Sequence, residues 1–192
     1  MIVDEGEGPA VVLLHGLEGS SDTWRHLAPM LAARCRVLVP ENATDTLKEL
    51  SESGVARFAV VGDREGADAA LDLCLRSDRV DALVLLTPTR VAQGPLGDLE
   101  IPVLIFAGEA EERFARIAEE LNEAIPSSTL GLVPGIGADL LADAPGTLFP
   151  MIDEYLRARY VKAPHGHAAD GIVTIQLERK PAWVDADEED DE

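Results

Sequence analysis

Aromatic side chains make up only 4% of this 192-residue chain, lysine occupies three positions, and there are two cysteines, Cys35 and Cys74. Two widely separated cysteines, one of them on the apolar stripe of a helix pattern, are expected as buried free thiols rather than as a disulfide or metal pair. No apolar run approaches the ~20 residues that a membrane span needs. The first ten residues, MIVDEGEGPA, lack the basic segment and apolar core of a secretory signal, so a cytoplasmic location is expected. Positive charge is the other shortage. Sixteen basic residues face 36 acidic ones, for a net charge of −20, and seven of those charges lie in 185–192, leaving −13 on the rest. Phosphate recognition requires clustered Lys and Arg, so nucleic-acid binding is excluded as a function class, and an anionic membrane surface would repel the chain. An acidic, lysine-poor composition fits a salt-rich cytoplasm and equally a genome that favours arginine codons.

What is present is an alternation of short apolar runs and amphipathic segments. Strands are predicted over 9–15 (PAVVLLH), 36–39 (RVLV), 58–61 (FAVV), 81–86 (DALVLL), 102–107 (PVLIFA) and 129–133 (TLGLV). Each is apolar throughout, as a strand covered on both faces must be. Between them lie helices with inward faces at Trp24, Leu27, Ala28 and Leu31; at Leu47 and Leu50; at Ala67, Ala70, Leu71, Cys74 and Leu75; at Phe114, Ile117, Ala118, Leu121 and Ile125; and at Leu148, Met151, Ile152, Tyr155 and Leu156. The predicted fold class is therefore α/β, a mostly parallel sheet with helices on both faces. It is expected to occupy residues 1–160. Residues 161–192 break the alternation, with a polar linker, a possible extra strand at Ile172–Leu177 and an acidic run expected to be disordered.

The chain is organised around residues 57–77, RFAVVGDREGADAALDLCLRS. A buried strand, a turn bracketed by Gly62 and Gly66, and an amphipathic helix form the setting in which a G-x-S-x-G motif presents a nucleophile. With GPAVVLLHGLEGSSDTW before it, IPVLIFAGEAEE and LGLVPGIGADLLADAP after it, and DALVLLTP between, the chain resembles the α/β-hydrolase superfamily in motif, order and spacing. The resemblance implies a reduced α/β-hydrolase fold in which the linker between the fourth and fifth predicted strands leaves no room for a cap domain. It also places the three triad roles at Arg64, Glu111 and Ala138. A guanidinium is neither nucleophile nor base at physiological pH, and an alanine cannot relay a proton. Asp63 lies one residue before the elbow centre, so the aspartate-nucleophile variant is not satisfied either. The ordinary Ser-His-Asp mechanism is excluded.

The backbone could still serve. The family's oxyanion hole corresponds to the amides of Leu17 and Glu65, with His15 and Gly16 in the loop that carries the first, so a residual ligand site is expected there. Arg64 is expected either to fill the vacated site, paired with Glu111, Asp63 or Asp139, or to point into solvent. His15 is read as structural, His26 as a surface residue, and His165 and His167 as two imidazoles without a third ligand. No cofactor motif or metal-ligand spacing stands out. Ile172, Ile175, Leu177 and Trp183 are candidate partner-binding residues, by strand addition and by a tryptophan anchor. The expected function is a non-catalytic binding, scaffold or complex-subunit module. It would contact another protein through the C-terminal extension or the former active-site face. The alternative is an esterase-like hydrolase with a rearranged site at the same strand ends, using Glu111 or Asp139 with a bound water.

Overall fold

The computed structural model describes residues 3–41 and 43–161. The chain runs β1 (Val3–Glu5), β2 (Ala10–Leu14), α1 (Leu27–Ala32), β3 (Arg36–Val39), α2 (Thr46–Glu52), β4 (Phe58–Asp63), α3 (Glu65–Arg76), β5 (Val80–Leu86), β6 (Val103–Gly108), α4 (Glu112–Ala124), β7 (Ser128–Val133), α5 (Leu140–Asp143) and α6 (Pro145–Val161). Short 3-10 turns at Ser21–Trp24 and Leu96–Asp98 precede α1 and β6. The seven strands form one sheet in the order β1-β3-β2-β4-β5-β6-β7. All neighbours are parallel except β1, which pairs antiparallel with β3. The six strands anticipated from the sequence are all present. The edge strand β1 was not anticipated, because three residues with Asp4 and Glu5 among them carry no apolar run. It is held by a two-pronged contact across the edge, Arg36 Nε to Asp4 Oδ1 at 2.8 Å and Nη2 to Oδ2 at 2.6 Å.

Successive strand residues point to opposite faces, so each central strand supplies two cores. Val12, Leu14, Val60, Leu83, Leu85, Val103 and Ile105 pack against Ala67, Ala70 and Leu71 of α3 and Ala118 and Leu121 of α4. On the other face, Val11, Leu13, Ala59, Val61, Val84 and Phe106 pack against Leu27 and Leu31 of α1 and Leu148, Ile152 and Leu156 of α6. Both cysteines are buried and free, and burial pushes the Cys74 thiol up to about 12, which keeps it protonated and inert. The linker after β5 is tied to α3. Asp68 accepts from the Thr89 backbone N–H at 3.0 Å, and Arg90 reaches Asp72 at 2.6 Å. No helix among the described residues is long and apolar enough to cross a membrane. The proposed strand Ile172–Leu177, Trp183, His165, His167 and the acidic run lie outside the described residues.

The chain leaves β2 for β3 on one side and then returns to β4 on the other, so the strand order reverses between β2 and β4. In open parallel sheets that reversal opens a crevice beyond the carboxyl ends of the strands. Here α3 starts directly against β2. A Cβ on Gly66 would lie 2.0 Å from the Leu14 carbonyl oxygen, and one on Gly62 would lie 2.3 Å from the Gly66 carbonyl oxygen. Two glycines thus let strand, turn and helix interlock with backbone against backbone. Gly66→Ala should cost roughly 1–3 kcal/mol of stability, the usual range for forced overpacking. Gly146→Ala, at a site with nothing within 4 Å, should be neutral or slightly stabilising in the first turn of α6. Denaturant midpoints of the two variants check the contrast.

Candidate functional site

Beyond the ends of β2 and β4 lies an open cavity of about 850 Å³. Its walls come from the loop after β2, the turn between β4 and α3, the segment before α1, and the α5–α6 region. The turn has an unusual backbone. Arg64 sits at φ 54°, ψ −119°, a conformation rarely tolerated by a residue with a Cβ. Such strain costs of order 1–3 kcal/mol and persists only where the surroundings over-determine it. They do so here. The Arg64 N–H donates to the Leu86 carbonyl at 2.9 Å, and its own carbonyl receives the N–H of Ala67 at 2.9 Å and of Asp68 at 3.2 Å. The elbow expected at Gly62–Gly66 is therefore formed with an arginine at its apex.

The Arg64 guanidinium pairs with Asp139 at 3.8 Å, and both side chains are well exposed, at 42% and 59%. Of the three carboxylates named as possible partners from the sequence, Asp139 is the one it meets. A pair this open is worth at most about 1 kcal/mol. Glu111 is engaged elsewhere. Its Oε1 accepts from the Ala138 N–H at 2.9 Å, and the Ala138 carbonyl accepts from Thr87 Oγ1 at 3.2 Å. Thr87 is fully buried and also at positive φ, 48°, so a second strained residue stands at the end of β5. The loop below is seated just as tightly, because a Cβ on Gly108 would lie 2.2 Å from the carbonyl oxygens of Ile136 and Gly137. Where the family pattern has a histidine oriented by an acid, this chain has a backbone loop clamped by an acid and a threonine.

The expected oxyanion site is already occupied from within. Glu65, the first residue of α3, turns its carboxylate to accept the Leu17 N–H at 3.3 Å. A Cβ on Gly16 would sit 2.6 Å from that same carboxylate oxygen. One of the two donors is thus taken by an internal anion, and the loop has room for it because residue 16 is glycine. His15 donates from Nδ1 to the Gly16 carbonyl at 2.9 Å, which fits a structural role. His26 accepts from Arg25 Nε at 3.0 Å on the cavity rim. Leu17 is 87% exposed beside these polar groups, the only large apolar side chain so exposed among the described residues. Among those residues no group of three or more His, Cys, Asp or Glu side chains is placed to hold a metal ion.

The residue that sequence reasoning set aside is Asp63. It continues the Ala59, Val61 series along β4, the face that packs against α1 and α6, so period-two alternation turns it toward the cavity floor. It lines the cavity, is 8% exposed, and makes no hydrogen bond or ion pair among the described residues. Burial pushes its carboxyl up to about 7; the Arg64 guanidinium pulls the other way, and Asp139 and Glu65 add to the rise. Because the folded-state pKa lies above the unfolded one, the folded chain holds this proton more tightly. Stability is therefore lost as pH rises from about 4 to about 7, and the full cost is present above that range. Asp63→Asn should raise the melting temperature at pH 8, with a gain on the order of 3 kcal/mol, and the gain should shrink toward pH 4. Thermal melts of both proteins across that range check it; a pH-independent gap would place the effect in packing rather than charge.

No family model matches the chain. Among curated proteins it is similar to Epoxide hydrolase 3 of Siraitia grosvenorii, 30% identical over 150 residues covering 60% of this chain and 48% of that protein. It is also similar to the magnesium-chelatase 30 kDa subunit of Rhodobacter capsulatus, 33% identical over 95 residues covering 38% of this chain and 34% of that one. The chain thus spans less than half the length of these relatives. Among solved structures it superposes on a meta-cleavage product hydrolase from Pseudomonas fluorescens with a TM-score of 0.76 at 16% identity, covering 82% of this chain and 93% of that one. The 2-hydroxy-6-oxo-6-phenylhexa-2,4-dienoate hydrolase of Rhodococcus matches with a TM-score of 0.75 at 16% identity, covering 81% and 94%. A seven-stranded sheet reversing at β2 and β4, a glycine-bracketed elbow at the reversal and these neighbours agree: the chain has the α/β-hydrolase fold.

Proposed function

We propose that the chain is a non-catalytic α/β-hydrolase-fold protein that works by binding, as a scaffold or complex-subunit module. One observation carries this reading. The elbow is built, yet the nucleophile and histidine positions are replaced, and the acid and one of the two oxyanion amides are engaged in internal contacts. Arg64 occupies the apex, Ala138 stands at the histidine position, Glu111 holds the Ala138 amide, and the Glu65 carboxylate holds the Leu17 amide. A nucleophile and its base must act together, so losing both removes the covalent mechanism rather than slowing it. One relative's description, a chelatase subunit, supports the complex-subunit form of the reading. The contact surface is proposed to be the C-terminal extension, with Ile172, Ile175, Leu177 and Trp183, or the open cavity face.

A rearranged hydrolase is the second reading, and one specific feature favours it. Asp63 is a buried carboxyl in the cavity with its pKa pushed to about 7, the property of a general base suited to neutral pH. Turnover of short- and medium-chain p-nitrophenyl esters separates the readings. The wild type, Asp63→Asn, Glu111→Gln and Arg64→Ala should all stay at the uncatalysed rate. Wild-type turnover that falls 100-fold or so with Asp63→Asn, the usual contribution of a general base, would establish the hydrolase. For the partner surface, full-length protein and a chain ending at Val161 should give the same melting temperature, with association to the natural partner lost only in the shorter one. Equal association by both would move the contact to the cavity face.

A further inference from the structure

The cavity is charged in one sense. Glu18, Asp22, Asp63, Glu65 and Asp139 line it against the guanidiniums of Arg25 and Arg64. Most of these groups are already committed or solvated. Arg64 is paired with Asp139, Arg25 with His26, and Glu65 with the Leu17 amide, while Glu18 and Asp22 lie on the exposed rim. Asp63 alone is buried in the cavity wall with no hydrogen bond or close ion pair among the described residues. A buried carboxylate without a counter-charge is costly, and native structures supply a cation or neutralise the group. No arginine or lysine of the described chain makes a close ion pair with it, and Arg64 acts on it only through space, so its ionised form is left open to a cation from outside. The apolar side chains of the wall are Leu17, Leu141, Ala142, Pro145 and Phe149.

We propose that this cavity binds a small organic ammonium ligand, its N–H donors on the Asp63 carboxylate and its apolar body against Phe149 and Leu141. The proposal rests on the non-catalytic reading of the site and names the ligand class that the site takes. A primary ammonium suits it best. It donates hydrogen bonds to the carboxylate, whereas a quaternary ammonium cannot and depends on aromatic faces, of which the cavity offers only Phe149. The Glu65 carboxylate over the Leu17 amide removes one of the two amides that would otherwise favour an anion. Binding is linked to protons. The ligand takes the ionised form of Asp63, whose charged neighbours are Arg64, Asp139 and Glu65, so affinity should rise with pH through neutrality.

The test is a titration of the full-length protein with benzylammonium, benzyltrimethylammonium, benzyl alcohol and benzoate, in ~0.15 M salt to screen the general attraction of an acidic chain for cations. Amide chemical shifts of Asp63, Arg64 and Leu17 report occupancy. Benzylammonium should bind in the cavity, several-fold more tightly than its trimethyl analogue, with benzyl alcohol and benzoate weaker still. Its affinity should increase roughly tenfold between pH 6 and pH 8 as Asp63 ionises. Asp63→Asn should weaken it by roughly tenfold or more at pH 8, the worth of one charged hydrogen bond. Glu18→Gln, which removes one rim charge, should change it less than twofold. Equal losses in the two variants would reduce the effect to the overall field, and benzoate binding as tightly as benzylammonium would make this an anion site at the arginines. Either result, or an absence of benzylammonium shifts at these amides, overturns the proposal. None of them touches the non-catalytic reading, which stands or falls on ester turnover alone.

Discussion

The approach of α3 to β2 sets the geometry of everything at the carboxyl end of the sheet. Gly66 meets the Leu14 carbonyl with no space for a methyl group, so the turn that joins β4 to α3 has to be completed at a single residue, Arg64. That compression drives Arg64 to positive φ, aims its side chain into the crevice mouth, and leaves Glu65 as the first helical residue within reach of the Leu17 amide. A helix N-terminus favours a carboxylate, and the carboxylate finds a donor in the neighbouring loop. The elbow is thus a property of backbone packing. It does not depend on which side chain it presents, and this is why the elbow is intact with an arginine at its apex.

That distinction also explains what could be read from the sequence. Strands such as VVLL and VLIFA and the stripe Ala67-Ala70-Leu71-Cys74 are legible because burial on two faces leaves no polar choice, and all of these residues are buried. The glycines at 62 and 66 are legible because the strand–turn–helix spacing requires them. The edge strand β1 is not legible, since its pairing depends on an Arg36–Asp4 fork contributed from another part of the chain. The Glu65–Leu17 contact joins residues 48 positions apart, and nothing in local pattern marks it. Asp63 lies between these cases. Its signal is an acid at the end of an inward-facing Ala59-Val61 series, legible in the pleat of its own strand and hidden in the family motif, where it stands one residue early.

Arginine does much of the cross-linking in this acidic protein. Arg79 donates to the carbonyls of Ala56 at 3.0 Å and Leu47 at 3.4 Å, to the carbonyl of Val55, and to Ser51 Oγ at 2.9 Å, while its guanidinium lies 5.9 Å from the Phe58 ring centre. Arg57 spans Asp81 and the Asp78 carbonyl. A lysine ammonium has no planar fork with which to bridge several acceptors at fixed angles. Such roles give a structural reason for arginine at these sites, independent of either salt or codon usage. None of the ion pairs among the described residues reaches the Asp63 carboxylate in the cavity.

The two halves of the strand-end region consequently differ in physical character. Around Ala138 the structure is relaxed toward stability, with the amide on Glu111, the carbonyl on Thr87 and the loop seated on Gly108. Around Asp63 and Arg64 it holds two unfavourable features side by side, a strained backbone and a buried carboxyl without a partner. Packing accounts for the strain, because the elbow cannot close otherwise. It does not account for the carboxyl, since an asparagine would fill the same volume without the charge. Unfavourable groups that packing does not require collect where a protein meets something else. By that reasoning the loop around Ala138 serves the fold, and the junction of β2 and β4 is where the proposed ligand would be met.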